Sequence, residues 1–251
     1  MLRLWPPSTT LEALDDTALA AHYAWPDGLL APYVRGNMVS SLDGAVAVDG
    51  KTGGLGSAAD LTVFELLREL AEVILVGAGT VRVENYSGAR RPTRGRDTYP
   101  PIAVVSGSAT LNPDSLLFTD TFVPPLVLTL ESASRRRSDR IREAGGEVVL
   151  LEQLTPAAVI AELQRRGLRR VLCEGGPTLL GNFHQADAID ELCLTVAPLI
   201  TGGSAGRTTT GTGGGCPRRM ELVGALQAED GLLLRYRRIR DQNRETNEPL
   251  T

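Results

Sequence analysis

The chain has 251 residues, 42% of them hydrophobic and 22% charged, with a formal net charge of −4. That balance is ordinary for a globular protein built as one large domain, and it excludes a nucleic-acid surface made by bulk positive charge. No apolar run approaches the roughly 20 residues of a membrane span.

Three cysteines, Cys173, Cys193 and Cys216, lack Cys-x-x-Cys spacing and build no disulfide framework. The start, MLRLWPPSTTLEALDD, turns acidic at once and has no leader-like apolar core. The expectation is a cytoplasmic chain with reduced thiols and no membrane partner.

Apolar residues at helical spacing predict a helix over residues 11–23, capped by Ser8, Thr9 or Thr10 and ended by Pro26. Residues 33–42 read as a strand, turned by Asp43-Gly44 into a short strand over 45–48. A Gly-rich loop follows, and Ser57 caps a helix to about Ala71 with Leu61, Phe64, Leu67 and Leu70 on one face. The continuous apolar run 73–76 suits a buried parallel strand. Residues 84–100 are a long polar loop rich in arginine and glycine. Strands at 102–105, 126–130, 147–151 and 170–173 then alternate with helices at 134–144, 156–166 and from Pro177 to about Gln185. A strand over 191–200, a Gly/Thr loop over 202–216, a closing antiparallel pair at 220–226 and 232–239, and a polar tail from Arg240 complete the chain. This alternation predicts an α/β fold with a mostly parallel sheet and an antiparallel C-terminal edge. No linker divides it, so a single domain is expected, with its core over about 30–239.

Two strand-to-helix junctions carry the candidate chemistry. The first is Gly77-Ala78-Gly79-Thr80. The second is Glu174-Gly175-Gly176-Pro177-Thr178-Leu179-Leu180-Gly181-Asn182. Glycine lets a phosphate approach the backbone, and a helix start offers free N–H groups with partial positive charge. Ligands of open α/β sheets bind at this edge. Tight βα turns also need glycine for their own sake, and position 82 is arginine, so the full Gly-x-Gly-x-x-Gly fingerprint is absent. Glu174, after an apolar strand, needs a partner. Asp43 equally suits its own Asp-Gly turn. His22 and His184 stand alone, and no metal site is expected.

Taken together, Ser40-Ser41-Leu42-Asp43-Gly44, Leu67-Arg68, Gly77-Ala78-Gly79-Thr80-Val81-Arg82, Glu174-Gly175-Gly176-Pro177-Thr178-Leu179 and Asp190-Glu191-Leu192 resemble, in order, the motifs of the riboflavin-biosynthesis pyrimidine reductase family. The resemblance covers about residues 34–239. It implies a dihydrofolate-reductase-like three-layer α/β/α fold, a homodimer, NADPH as cofactor, and reduction of a 5-amino-6-ribosylaminouracil phosphate.

Carried over by position, Gly54, Gly77 to Thr80, Glu84, Ser106, Gly107, Ser108 and Gly175 to Asn182 would hold the cofactor. Ser41, Asp43, Thr52, Arg68, Arg91 and Glu174 would face the substrate. Asp43 and Glu174 are the candidate catalytic carboxylates, and the arginines would hold a phosphate. Glu84 stands where the family has aspartate, and Gly54 where it often has tryptophan. The His-x-Glu … Pro-Cys-x-x-Cys deaminase motif is absent from this sequence, so a reductase alone is expected. These departures leave open a pterin or folate substrate. A metal-dependent nucleotide transferase lacks a carboxylate pair near the turns, and a non-catalytic nucleotide sensor stays as the third alternative.

Overall fold

The computed structural model describes residues 1–7, 13–93, 99–211 and 217–240. The expected cap at Ser8, Thr9 or Thr10, the loop arginines Arg94 and Arg96, Cys216 and the tail beyond Arg240 lie outside them.

Ten strands form one sheet: β1 (Leu2–Trp5), β2 (Tyr33–Ser40), β3 (Val73–Gly77), β4 (Ile102–Val105), β5 (Leu126–Leu130), β6 (Glu147–Leu151), β7 (Arg170–Cys173), β8 (Glu191–Val196), β9 (Met220–Ala228) and β10 (Gly231–Arg238). Their spatial order is β1-β9-β10-β8-β2-β7-β3-β4-β5-β6. The run from β8 to β6 is parallel throughout. The edge made by β10, β9 and β1 is antiparallel. The mixed sheet with its antiparallel edge is therefore as expected, although β1 was not foreseen.

Period-two alternation along the parallel strands explains the layers. In β3, Ile74 and Val76 point into one core with α1 (Asp16–His22), α2 (Ala58–Leu70), α3 (Ala78–Val83), α4 (Leu116–Thr119) and α5 (Arg135–Glu143). Val73 and Leu75 point into the other, with α6 (Pro156–Arg165) and α7 (Pro177–Gln185). Helices on both faces make three layers.

Three expectations need correction. Helix α1 starts at Asp16, because the Asp15 carboxylate accepts from Ala18 N and caps it there. The expected strand over 45–48 is absent: Ser41 N donates to Ala45 O and only the isolated bridge Val48–Lys51 forms, so the segment lacks a strand partner. Strand β8 ends at Val196, short of residue 200. Among the described residues no helix is long and apolar enough to cross a membrane.

A buried ion network joins the antiparallel edge to the parallel sheet. Arg35 on β2 and Glu191 on β8 are both fully buried, with Arg35 Nε 2.6 Å from Glu191 Oε1. Arg235 on β10 donates to both Glu191 oxygens, at 2.8 and 3.1 Å. Arg35 also donates to the carbonyls of Tyr23 and Ala24, and its guanidinium lies 4.1 Å from the Trp25 ring centre. Burial alone would raise the Glu191 pKa; Arg35 and Arg235 overcome it and hold the carboxylate below its ordinary value.

Removing one partner of such a network strands a charge in the interior. Arg35→Met is expected to destabilise the protein by about 3 kcal/mol or more, read as a lower urea midpoint, and a loss under about 1 kcal/mol would contradict this role.

Candidate active site

A cleft of about 800 Å³ opens at the carboxyl ends of β2, β7 and β3. Its position follows from topology. The chain lays β4, β5 and β6 outward from β3, then returns to place β7 between β2 and β3. That reversal brings the two glycine turns together. Glu174 N donates to Leu75 O at 2.9 Å, and Gly77 N to Gly175 O at 2.7 Å. The Gly175–Gly176 peptide is cis. A Cβ on Gly176 would fall 2.6 Å from Thr80 Oγ1, so only glycine fits between the turns.

Gly77, Gly79, Thr80, Gly176, Pro177, Thr178 and Leu179 line the cleft, below the starts of α3 and α7. Gly79 is informative. Its φ lies outside the left-handed region, and a Cβ there would meet nothing within 4 Å. Neither packing nor backbone conformation demands glycine at this point; its effect is to leave the backbone bare toward the cleft. Gly53, in the turn Thr52–Gly54, has the same character and also lines the cleft.

Other expected cofactor residues sit differently. Ala78, Leu180 and Gly181 are buried in packing, with Gly181 against the backbone of Thr210. Gly175 is behind the cleft wall and Asn182 is exposed outside it. Gly54 packs against Val48 rather than facing the cleft, a one-residue displacement from the expectation. Ser106, Gly107 and Ser108 follow β4, next to β3 but outside the cleft lining, and Arg137 donates to Ser108 O at 3.3 Å. Glu84 lines the cleft and accepts from Thr52 N at 3.0 Å, which ties the Gly-rich turn to the end of α3.

Arg68 and Glu174 were expected as separate substrate contacts. The structure pairs them. Arg68 Nε and Nη2 donate to the two Glu174 oxygens at 2.8 and 2.7 Å. The guanidinium lies 4.2 Å from the Phe64 ring centre and 5.0 Å from that of Tyr86. This bidentate pair engages Nε and Nη2 of the guanidinium.

Asp43, Ser41 and Arg91 are absent from the cleft lining. Asp43 instead accepts from Ser41 Oγ, Gly202 N and Thr201 N. Those bonds lower its pKa to about 2, Ser41 contributing most. Its hydrogen bonds tie the 41–44 turn to the 199–202 segment. Ser41 Oγ completes that turn by accepting from Ala45 N. Arg91 donates to Tyr99 Oη at 3.3 Å, out in the exposed loop.

Several lining residues were not foreseen. Ser57 at the N-cap and Asp60, Leu61 and Phe64 of α2 form one stripe along the cleft together with the expected Arg68, while Ala59, Val63, Leu66 and Leu67 face the core. Of the apolar residues expected on one face, Leu61 and Phe64 line the cleft and Leu67 is buried in the core. Asn37, Met38 and Val39 of β2 complete the floor. Tyr86 lines the cleft with a buried hydroxyl that has no hydrogen-bond partner. Among the described residues no three His, Cys, Asp or Glu side chains gather as a metal site requires.

A parallel sheet with glycine turns abutting at its reversal point defines an α/β protein with its cleft where open α/β sheets bind ligands. Within that class, the chain belongs to the RibD C-terminal domain family, which matches residues 32–234. It is 30% identical over 180 residues to the 2,5-diamino-6-ribosylamino-4(3H)-pyrimidinone 5′-phosphate reductase of Aquifex aeolicus, covering 66% of this chain and 79% of that one. It is 31% identical over 178 residues to riboflavin biosynthesis protein RibD of Bacillus amyloliquefaciens, covering 69% of this chain and 47% of that one. The crystal structure of a pyrimidine reductase-like protein from Corynebacterium diphtheriae superimposes with a TM-score of 0.77 at 26% identity, covering 89% and 99% of the two chains. The dihydrofolate-reductase-like three-layer fold expected from the resemblance is the one observed.

A double-mutant cycle tests the cleft geometry. Arg68→Ala, Glu174→Ala and the double variant should show a coupling of about 1–3 kcal/mol in unfolding free energy, and additive losses would mean the two side chains do not pair in solution.

Proposed function

We propose that the chain is an NADPH-dependent reductase of a ribosylamino-substituted pyrimidine, the reaction class named for its relatives. The observation that carries this reading is the bare backbone of the abutting turns, with Gly79 and Gly53 open to the cleft for no packing reason.

The donor set suits a dinucleotide. Backbone N–H groups at the starts of α3 and α7 would face the diphosphate, with the Thr80 and Thr178 hydroxyls beside them. Ser106, Gly107 and Ser108, with Arg137 close by, are assigned the 2′-phosphate that separates NADPH from NADH. When bound, the cofactor supplies a hydride to an imine carbon of the substrate. The chain's own residues bind and orient. The Arg68–Glu174 pair fixes one wall, its charge neutralised within the cleft. Phe64 and Met38 offer apolar surface for a flat ring. The Tyr86 hydroxyl is left to bond a ligand or a water.

One observation favours a second reading, reduction of a dihydropterin or dihydrofolate. Among the described residues the cleft lining holds a single arginine, already engaged by Glu174, whereas a substrate phosphate calls for a free cation. NADPH oxidation with ribosylaminopyrimidine phosphate against dihydrofolate separates the two.

Gly79→Asp tests the cofactor. The new Cβ meets no neighbour, and an acid in the first turn of a helix is tolerated, so the fold should be retained. The added carboxylate would face the diphosphate. NADPH affinity is expected to fall at least about tenfold in a direct binding titration, with the melting temperature little changed. Unchanged affinity would contradict the proposed cradle, and a wild type that binds neither NADPH nor NADH would overturn the reductase reading.

A further inference from the structure

After β8 the chain runs through residues 197–211, none of which lines the cleft. This segment is nevertheless fastened to two of the cleft's walls. Leu42 N donates to Leu199 O at 2.8 Å, Asp43 accepts from Thr201 N and Gly202 N, and Val46 N donates to Gly206 O at 3.2 Å. Val46 itself lines the cleft. Farther on, Thr210 N donates to Pro177 O at 3.0 Å, and the Thr210 and Thr178 hydroxyl oxygens lie 3.4 Å apart. Pro177 and Thr178 open the first turn of α7 and line the cleft. The segment is therefore a strap from the 41–46 turn to the start of α7.

Gly181 shows how closely the strap is seated. It lies inside α7, where glycine is a poor helix former, and its φ is outside the left-handed region. Neither a turn nor the helix accounts for it. A Cβ there would overlap the Thr210 carbonyl, and its three nearest atoms all belong to the Thr210 backbone. Glycine at this point lets the strap lie directly on the helix. The same contact sets the Thr210 hydroxyl beside that of Thr178.

A hydroxyl donates one hydrogen bond and accepts through two lone pairs. Under the proposed function, Thr178 stands beside the diphosphate, where its proton must point at a phosphate oxygen. Left alone, that proton turns about the Cβ–Oγ bond. A neighbour that donates to Thr178 Oγ1 occupies a lone pair and leaves the proton for the cleft. We propose that Thr210 is a positioning residue that orients the Thr178 hydroxyl toward an anion at the start of α7, and that seating of the strap on Gly181 and binding of the nucleotide reinforce each other. This rests on the cofactor assigned under the reductase reading. The coupling is reciprocal: what seats the strap tightens binding, and what binds seats the strap.

Direct NADPH titrations of the wild type, Thr210→Val, Thr210→Ser, Thr178→Val and the Thr178→Val/Thr210→Val double variant test the positioning role. Thr210→Val keeps the side chain's shape and removes its hydroxyl, so NADPH affinity should fall about fivefold with little change in melting temperature. Thr210→Ser should restore the affinity. On the Thr178→Val background the second substitution should cost nothing further, because Thr210 acts through Thr178. Unchanged affinity in Thr210→Val, failure of serine to rescue, or a full additional loss in the double variant would each overturn the proposal.

Gly181→Ala tests the strap itself. Alanine favours the helix, so a loss there comes from the displaced strap. Arg207 is an exposed strap residue, and trypsin cleavage after it can be read from the fragment mass. Without nucleotide, that cleavage should be about fivefold or more faster in Gly181→Ala than in the wild type, and saturating NADPH should slow it in the wild type by a similar factor. Equal rates in Gly181→Ala and wild type, or no protection by NADPH in a wild type that binds it, would sink the coupling and leave the reductase reading standing. A wild type that binds no NADPH overturns the reductase reading and the role of Thr210 with it, while the nucleotide-free comparison decides the seating of the strap separately.

Discussion

The contact between two turns governs this molecule. β3 and β7 are adjacent and parallel, and the backbone bonds Glu174 N to Leu75 O and Gly77 N to Gly175 O carry their pairing past the strand ends. Two helices must therefore start side by side, α3 after Gly77 and α7 after Gly176. Each start leaves N–H groups without helical acceptors. Where two such starts converge, the protein gains a region of positive potential without a basic side chain. Under the proposed function, an anionic dinucleotide would meet backbone dipoles there rather than arginines.

Charged side chains serve a different purpose here, in two settings. Around Glu191, three arginines (Arg35, Arg235 and, at 3.9 Å, Arg237) and the Tyr33 hydroxyl surround a carboxylate that water does not reach, and the network ties β2, β8 and β10 together. Asp190 next to it accepts from Val34 N, so the Asp-Glu-Leu segment that contributed to the family resemblance acts as a structural fastening. Around Glu174 the pairing is one-to-one and borders the cleft. The first network decides where the antiparallel edge sits; the second fixes a wall of the site.

The parallel strands were legible in the sequence because their apolar runs are short, continuous and bounded by glycine or proline. The glycine turns were legible because they follow those runs directly. What failed were features that depend on neighbours. Helix α2 carries apolar side chains on more than one stripe, so periodicity showed a helix but not which stripe met the core. Residues 45–48 have strand composition but no strand beside them. β1 is four residues at an edge, with only the middle of its pattern partly buried. Arg68 and Glu174 lie 106 residues apart, and no spacing rule links them. Asp43 was read from its motif, and its three donors from residues 41, 201 and 202 became visible only once the 199–202 segment was in place.

The two faces of α2 explain how such a site can change while its scaffold persists. One stripe of the helix is committed to the core through Val63, Leu66 and Leu67, which are nearly or wholly inaccessible. The other presents Asp60, Leu61, Phe64 and Arg68 to the cleft, and Leu61 is 55% exposed there. Cores resist changes of volume, whereas exposed positions tolerate them at little cost in stability. Substitutions on the cleft stripe can thus alter the cleft lining without disturbing the two glycine turns. Under the proposed function, a nucleotide would be held by backbone at the ends of β3 and β7, while side chains of a helix line another part of the cleft. The two are separable in this fold because they come from different kinds of chemistry.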